Sequence, residues 1–102
     1  MERSMLFVVA GILKPNVEER MISLRDEWGE HLAQPFRRIS LAGLMRDRNR
    51  KRLGYLIFFE ADDFDDAEAY LHQSPFYRDG LYERVDVAEF NAQIGYVERV
   101  EA

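Results

Sequence analysis

Two histidines, one serine beside a proline and a scatter of charged side chains carry the chemistry this sequence can offer. His31 stands next to Leu32 near the end of a stretch with helical spacing. An imidazole there can exchange a proton near neutral pH or hydrogen-bond a ligand, or it can simply sit at the negative end of a helix dipole. Ser74 precedes Pro75, and its hydroxyl is either a reacting group or a turn former that bonds a backbone N–H two or three residues on. Arg25, Asp26, Phe76 and Tyr77 are the side chains expected to line a pocket around these two. Asp79, just before Gly80, reads first as a turn residue and second as a spare carboxylate, and His72 reads as a helix-end cation.

Several chemistries are excluded or disfavoured. With no cysteine in the chain, disulfides, thiolate metal sites and cysteine nucleophiles are ruled out. There is no phosphate-cradling glycine loop, no Gly-x-Ser-x-Gly elbow and no paired metal-ligand spacing, so neither metal nor cofactor is expected. The run Asp62, Asp63, Asp65, Asp66 lacks the glycine and distal glutamate of a calcium loop and suits a helix N-terminus instead. A net charge of −5 argues against nucleic acid as a partner. Arg46, Arg48, Arg50, Lys51 and Arg52 are locally basic, but no aromatic interleaves them for base stacking. They read as a solvated hairpin tip kept from edge pairing by charge, or as a capture point for an anion or acidic partner.

The elements that must position these residues follow from periodicity. "MLFVVAG" (5–11) is a buried strand, broken by Lys14-Pro15-Asn16. Val17, Met21, Leu24, Trp28 and Leu32 then form one apolar stripe, which predicts a single helix of about five turns ending before Pro35. Residues 37–45 and 53–61 are two strands of a hairpin around the basic turn, and 62–73 is a second helix with Phe64, Ala67, Tyr70 and Leu71 inward. Pro75 stops that helix, Gly80 permits a positive φ, and 81–90 is the last strand. The tail 91–102 is an added edge strand or a loose end. The order β-α-β-β-α-β is the ferredoxin-like arrangement: one α+β domain over 1–102, with two helices on one face of a four-stranded antiparallel sheet and a core over 5–90.

Both faces of that sheet are apolar. Met5, Phe7 and Val9 point one way and Leu6, Val8 and Ala10 the other; Tyr55, Ile57 and Phe59 oppose Leu56 and Phe58. Two helices cover one face only, so a twofold homodimer packed sheet to sheet is expected, with a folded-back tail as the rival cover. The apolar run from Met5 to Leu13 is far short of the roughly 20 residues a membrane helix needs, so no membrane is involved and a cytoplasmic location is expected.

The corner Ser74-Pro75-Phe76, then Gly80-Leu81-Tyr82 and Val85-Asp86-Val87, resembles the YciI-like (YCII-related) family of dimeric α+β barrel proteins. Upstream, Leu41-Ala42-Gly43, Gly54, "LIFFEA" and the alanine-containing acidic helix with Ala67 continue the likeness, which runs from about Met5 to Phe90. The resemblance implies a ferredoxin-like subunit, a dimer, and a cleft near the corner holding a His–Asp pair, with lyase-like or dehalogenating members acting on aromatic compounds. His31-Leu32 looks like the family's histidine; ungapped spacing places Asp26 there instead. The family's aspartate precedes the proline, where this chain has Ser74. A serine holds no charge to stabilise an imidazolium. The reading that follows is a small-molecule-binding protein with a degenerate dyad. The alternative is a cofactor-independent lyase- or isomerase-like enzyme on a small aromatic or carboxylated compound, with His31 as acid or base.

Overall fold

Met5 to Leu13 form strand β1, two residues longer than the 5–11 stretch read from the sequence. A computed structural model of the chain describes residues 5–96. Asn16 takes the left-handed φ of 62° and turns the chain into two short helices, α1 (Glu18–Ser23) and α2 (Arg25–Ala33). The single five-turn helix is therefore broken at Leu24, whose φ and ψ are −100° and 8°. The Ser23 hydroxyl donates to the Arg20 carbonyl at 2.8 Å, competing with the Leu24 amide, which is shared between Arg20 and Met21 at 3.0 and 3.2 Å. Such back-bonding bends a helix without interrupting its apolar stripe.

Strands β2 (Ile39–Arg46) and β3 (Arg52–Ala61) form the hairpin, and α3 (Phe64–His72) follows with Asp63 as its cap, the carboxylate accepting from the Asp66 amide at 2.8 Å. A four-residue helix α4 (Pro75–Arg78) makes the corner, Gly80 has a φ of 72° as expected, and β4 (Tyr82–Glu89) closes the sheet. The strand order is β2-β3-β1-β4 with every neighbour antiparallel, which is the ferredoxin-like α+β fold. The edge strand allowed for the tail does not form over 91–96, and 97–102 lie outside the described residues. No helix among the described residues is long and apolar enough to cross a membrane.

Register sets the two faces. Phe7 pairs with Phe59 and Val9 with Ile57 beneath the helices, where Ala67, Tyr70 and Leu71 pack on them. A second buried cluster of Leu13, Met21, Leu24, Phe76, Leu81 and Tyr82 fills the end of the sheet nearest the corner. On the far face, Val8 pairs with Phe58 and Ala88, and Phe58 with Leu41. Phe90, just past β4, lays its ring against Phe58 at 4.9 Å, while Leu41 stays 56% exposed.

Gly54 marks a place where the central strands come too close for a side chain. A Cβ there would meet the Gly11 carbonyl oxygen at 1.9 Å. Backbone cannot swing aside as a flexible side chain can, so Gly54→Ala is expected to destabilise the domain by about 2–3 kcal/mol, read as a lower urea midpoint with unchanged slope. Wild-type stability in that variant would mean β1 and β3 can separate without cost.

Candidate functional site

The cleft lies between α2 and the α3–α4 corner. It has a volume of about 690 Å³, and its floor includes His31 and Pro75. His31 reaches it because the α2 stripe turns inward there: the residue is only 8% exposed, with its ring stacked on Tyr70 at 4.1 Å and 8° and near Trp28 at 5.6 Å. Tyr70 is 1% exposed and its hydroxyl donates to the His31 carbonyl at 3.2 Å, so ring and backbone of the histidine are held by one side chain. Among the described residues no group hydrogen-bonds either imidazole nitrogen. Burial, then the nearby cations Arg78 and Arg37, lower its pKa from 6.5 to about 4, so the ring is neutral at physiological pH.

Two arginines border this cleft in different states. Arg37 is locked: its Nη1 and Nη2 donate to Asp66 Oδ2 and Oδ1 at 2.8 and 2.9 Å, and its guanidinium lies 5.4 Å over the Tyr70 ring. The Arg37 hydrogen bond, helped by the Asp62 amide, holds the Asp66 carboxyl down at about 2. Arg78 makes a single 2.8 Å contact with Glu27, both side chains about half exposed. An exposed one-point pair is worth at most about 1 kcal/mol, so Arg78 can leave it for a ligand and Arg37 cannot leave Asp66 cheaply.

Ser74 is 2% exposed and caps α4: its Oγ accepts from the Tyr77 amide at 3.4 Å, with Pro75 in the first helical position. Asp79 is taken by Arg20, which ties α1 to the corner. Phe76 is 2% exposed and stacks on Trp28 at 4.4 Å, deep in the core. Tyr77 is 38% exposed and stacks on His72, which borders the cleft. Arg25 and Phe76 line a separate hollow of about 120 Å³ between α1, α2, β3 and α4, and Asp26 is exposed on α2. Of the six residues expected to form the site, His31, Ser74, Arg25, Asp26, Phe76 and Tyr77, only His31 lines the larger cleft. Ser74→Ala should cost about 0.5–1 kcal/mol as the loss of a long capping bond, with binding in the cleft intact. A loss of binding without a loss of stability would give the hydroxyl a role beyond the cap.

Residues 5–91 match the YCII-related domain. The chain belongs to the YCII-related family. No curated protein matches it in sequence. Among solved structures, this YCII-related chain is similar to the 5-chloro-2-hydroxyhydroquinone dehydrochlorinase TftG of Burkholderia phenoliruptrix AC1100, solved in complex with 2,5-dihydroxybenzoquinone. The TM-score is 0.75 at 18% identity, over 85% of this chain and 94% of that one. It is also similar to 30S ribosomal protein S6 of Thermotoga maritima, with a TM-score of 0.57 and 17% identity over 86% of this chain and 89% of the other. An enzyme and a ribosomal protein on one scaffold show a shared fold and nothing about chemistry.

Sequence reasoning missed Gln34, Arg37 and Arg78 as cleft residues. The Arg37–Asp66 pair joins residues 29 apart, and Arg78 enters through the short α4 turn, so neither leaves a local pattern to read. The one signal was position: Arg78 lies in the corner that the motif had already marked.

Proposed function

We propose that this protein binds a small organic anion in the cleft beside His31, in a cytoplasmic homodimer, and that its corner shapes the pocket without performing dyad chemistry. The observation that supports this reading is a neutral imidazole on the cleft floor, its nitrogens without a partner among the described residues, beside Arg78 and Arg37 in a cleft that Glu27 and Glu30 also line. Such a ring donates one hydrogen bond to an incoming carboxylate or phenolate while Arg78 swings from Glu27 to supply charge. Ser74 is spent on the α4 cap, and no carboxylate is among the groups that shift His31. The homodimer is supported by the apolar far face, where Leu41, Val8 and Leu56 are not fully covered by the described residues. Light scattering should give the mass of two chains at micromolar concentration; a one-chain mass would remove the dimer.

2,5-Dihydroxybenzoate is a suitable probe. Wild type should bind it, Arg78→Ala should weaken it about tenfold, and His31→Ala should weaken it further, as isothermal titration reads. Equal affinity in all three proteins would place the anion elsewhere.

A second reading is favoured by the same free nitrogens. A bound anion raises the pKa of a neighbouring imidazole, and a protonated His31 would then be poised as a general acid. TftG is named as a dehydrochlorinase, so 5-chloro-2-hydroxyhydroquinone is the substrate to try. Turnover abolished by His31→Ala supports catalysis; binding without turnover supports the first reading.

A further inference from the structure

The segment between α2 and β2 presents a phenylalanine to solvent at the cleft edge and holds it there. Phe36 is 93% exposed and borders both the His31 cleft and the groove behind it. An exposed phenylalanine on a loose loop would need no explanation, but this loop is pinned. Gln34 Oε1 accepts from the Phe36 and Arg37 amides at 3.0 and 2.8 Å, and Gln34 Nε2 donates to the Arg37 carbonyl at 2.7 Å. One amide side chain thus satisfies three backbone groups and fixes the turn that carries the ring. Arg37, next in sequence, is anchored in turn by its two bonds to Asp66. The backbone that carries the ring is therefore held in place before any ligand arrives. Pro75, at the first position of α4, also lines the cleft but is itself buried, so Phe36 is the apolar side chain the cleft edge exposes.

We infer that Phe36 is the specificity wall of this cleft, selecting a planar aromatic anion over an aliphatic one of the same charge and size by stacking on the ring face. The inference rests on the anion-binding reading above and adds to it the class of ligand. Arg78 and His31 hold the charged end, Phe36 the ring, and Gln34 is a positioning residue that acts through the loop.

Benzoate and cyclohexanecarboxylate separate ring face from charge, since both are monoanions of one six-membered ring and one is puckered. Chemical-shift titration should show wild type preferring benzoate about three- to tenfold, the range expected of one aromatic contact. Phe36→Ala should remove that preference while keeping cyclohexanecarboxylate affinity, and Phe36→Trp should restore it. Gln34→Ala should reduce the preference with Phe36 still present. Phe36 is almost wholly exposed, so the substitution leaves folding intact. If Phe36→Ala retains the benzoate preference and Arg78→Ala weakens both anions, the wall is wrong and the cleft stands. If neither anion binds, or Arg78→Ala leaves both unchanged, the anion-binding reading fails and takes the inference with it.

Discussion

Tyr70→Ala should remove about 3–5 kcal/mol of stability and close the cleft floor to any ligand. Tyr70 is 1% exposed, stacks on His31 at 4.1 Å, lies 4.8 Å from the Phe59 ring and carries the Arg37 guanidinium 5.4 Å from its centroid. Removing it leaves a cavity at the meeting point of α2, α3 and β3, where packing cannot collapse without moving the sheet. A domain of this size is stable by about 5–15 kcal/mol, so the variant should lie close to its unfolding threshold at 37 °C. Tyr70→Phe is the control. It keeps the ring and loses one 3.2 Å hydrogen bond to the His31 carbonyl, for about 1 kcal/mol. Chemical denaturation of the pair separates ring from hydroxyl. Equal, small losses would mean that His31 is held by something other than this stack.

Acid should weaken the protein through His31 by up to about 3 kcal/mol between pH 6.5 and 4. In the unfolded chain the imidazole takes up a proton near pH 6.5, whereas folded His31 does so only near pH 4. Across that window the unfolded state binds the extra proton, so stability falls as pH drops and does not depend on this group above it. His31→Phe keeps a ring on Tyr70 and cannot titrate, so its unfolding free energy should change far less from pH 7 to 4.5. Asp66 acts in a lower window: held at about 2 by Arg37, its contribution is present above pH 4 and is lost as pH falls through 2. The two are thereby distinguishable by pH alone. A wild type as steep as His31→Phe between 7 and 4.5 would deny His31 its burial.

The strands were legible because β1 and β3 are β-rich on both faces, and antiparallel pairing leaves such runs few other places to go. The corner was legible because Pro75 and Gly80 each do something only that residue type does: one stops a helix, the other takes a φ of 72°. The helix break at Leu24 was not, since Val17, Met21, Leu24, Trp28 and Leu32 keep their spacing through a one-residue bend made by the Ser23 hydroxyl. His31 could be found as the histidine on the helix edge. Its neighbours could not, because Arg25, six residues before it, lines the smaller hollow and Asp26 is exposed, while residues 34, 37 and 78 reach the cleft from beyond the end of α2. Phe76 stacks on Trp28 and lines the smaller hollow with Arg25, away from His31.

The most direct measurement is the proton chemical shift of the His31 imidazole followed by NMR from pH 3 to 8, alone and with 2,5-dihydroxybenzoate. A free ring titrating near pH 4, and moving toward neutrality once the anion is bound, is the predicted result. A ring that titrates near pH 6.5 and ignores the anion would show a solvated helix-end histidine, and the cleft would lose its ligand.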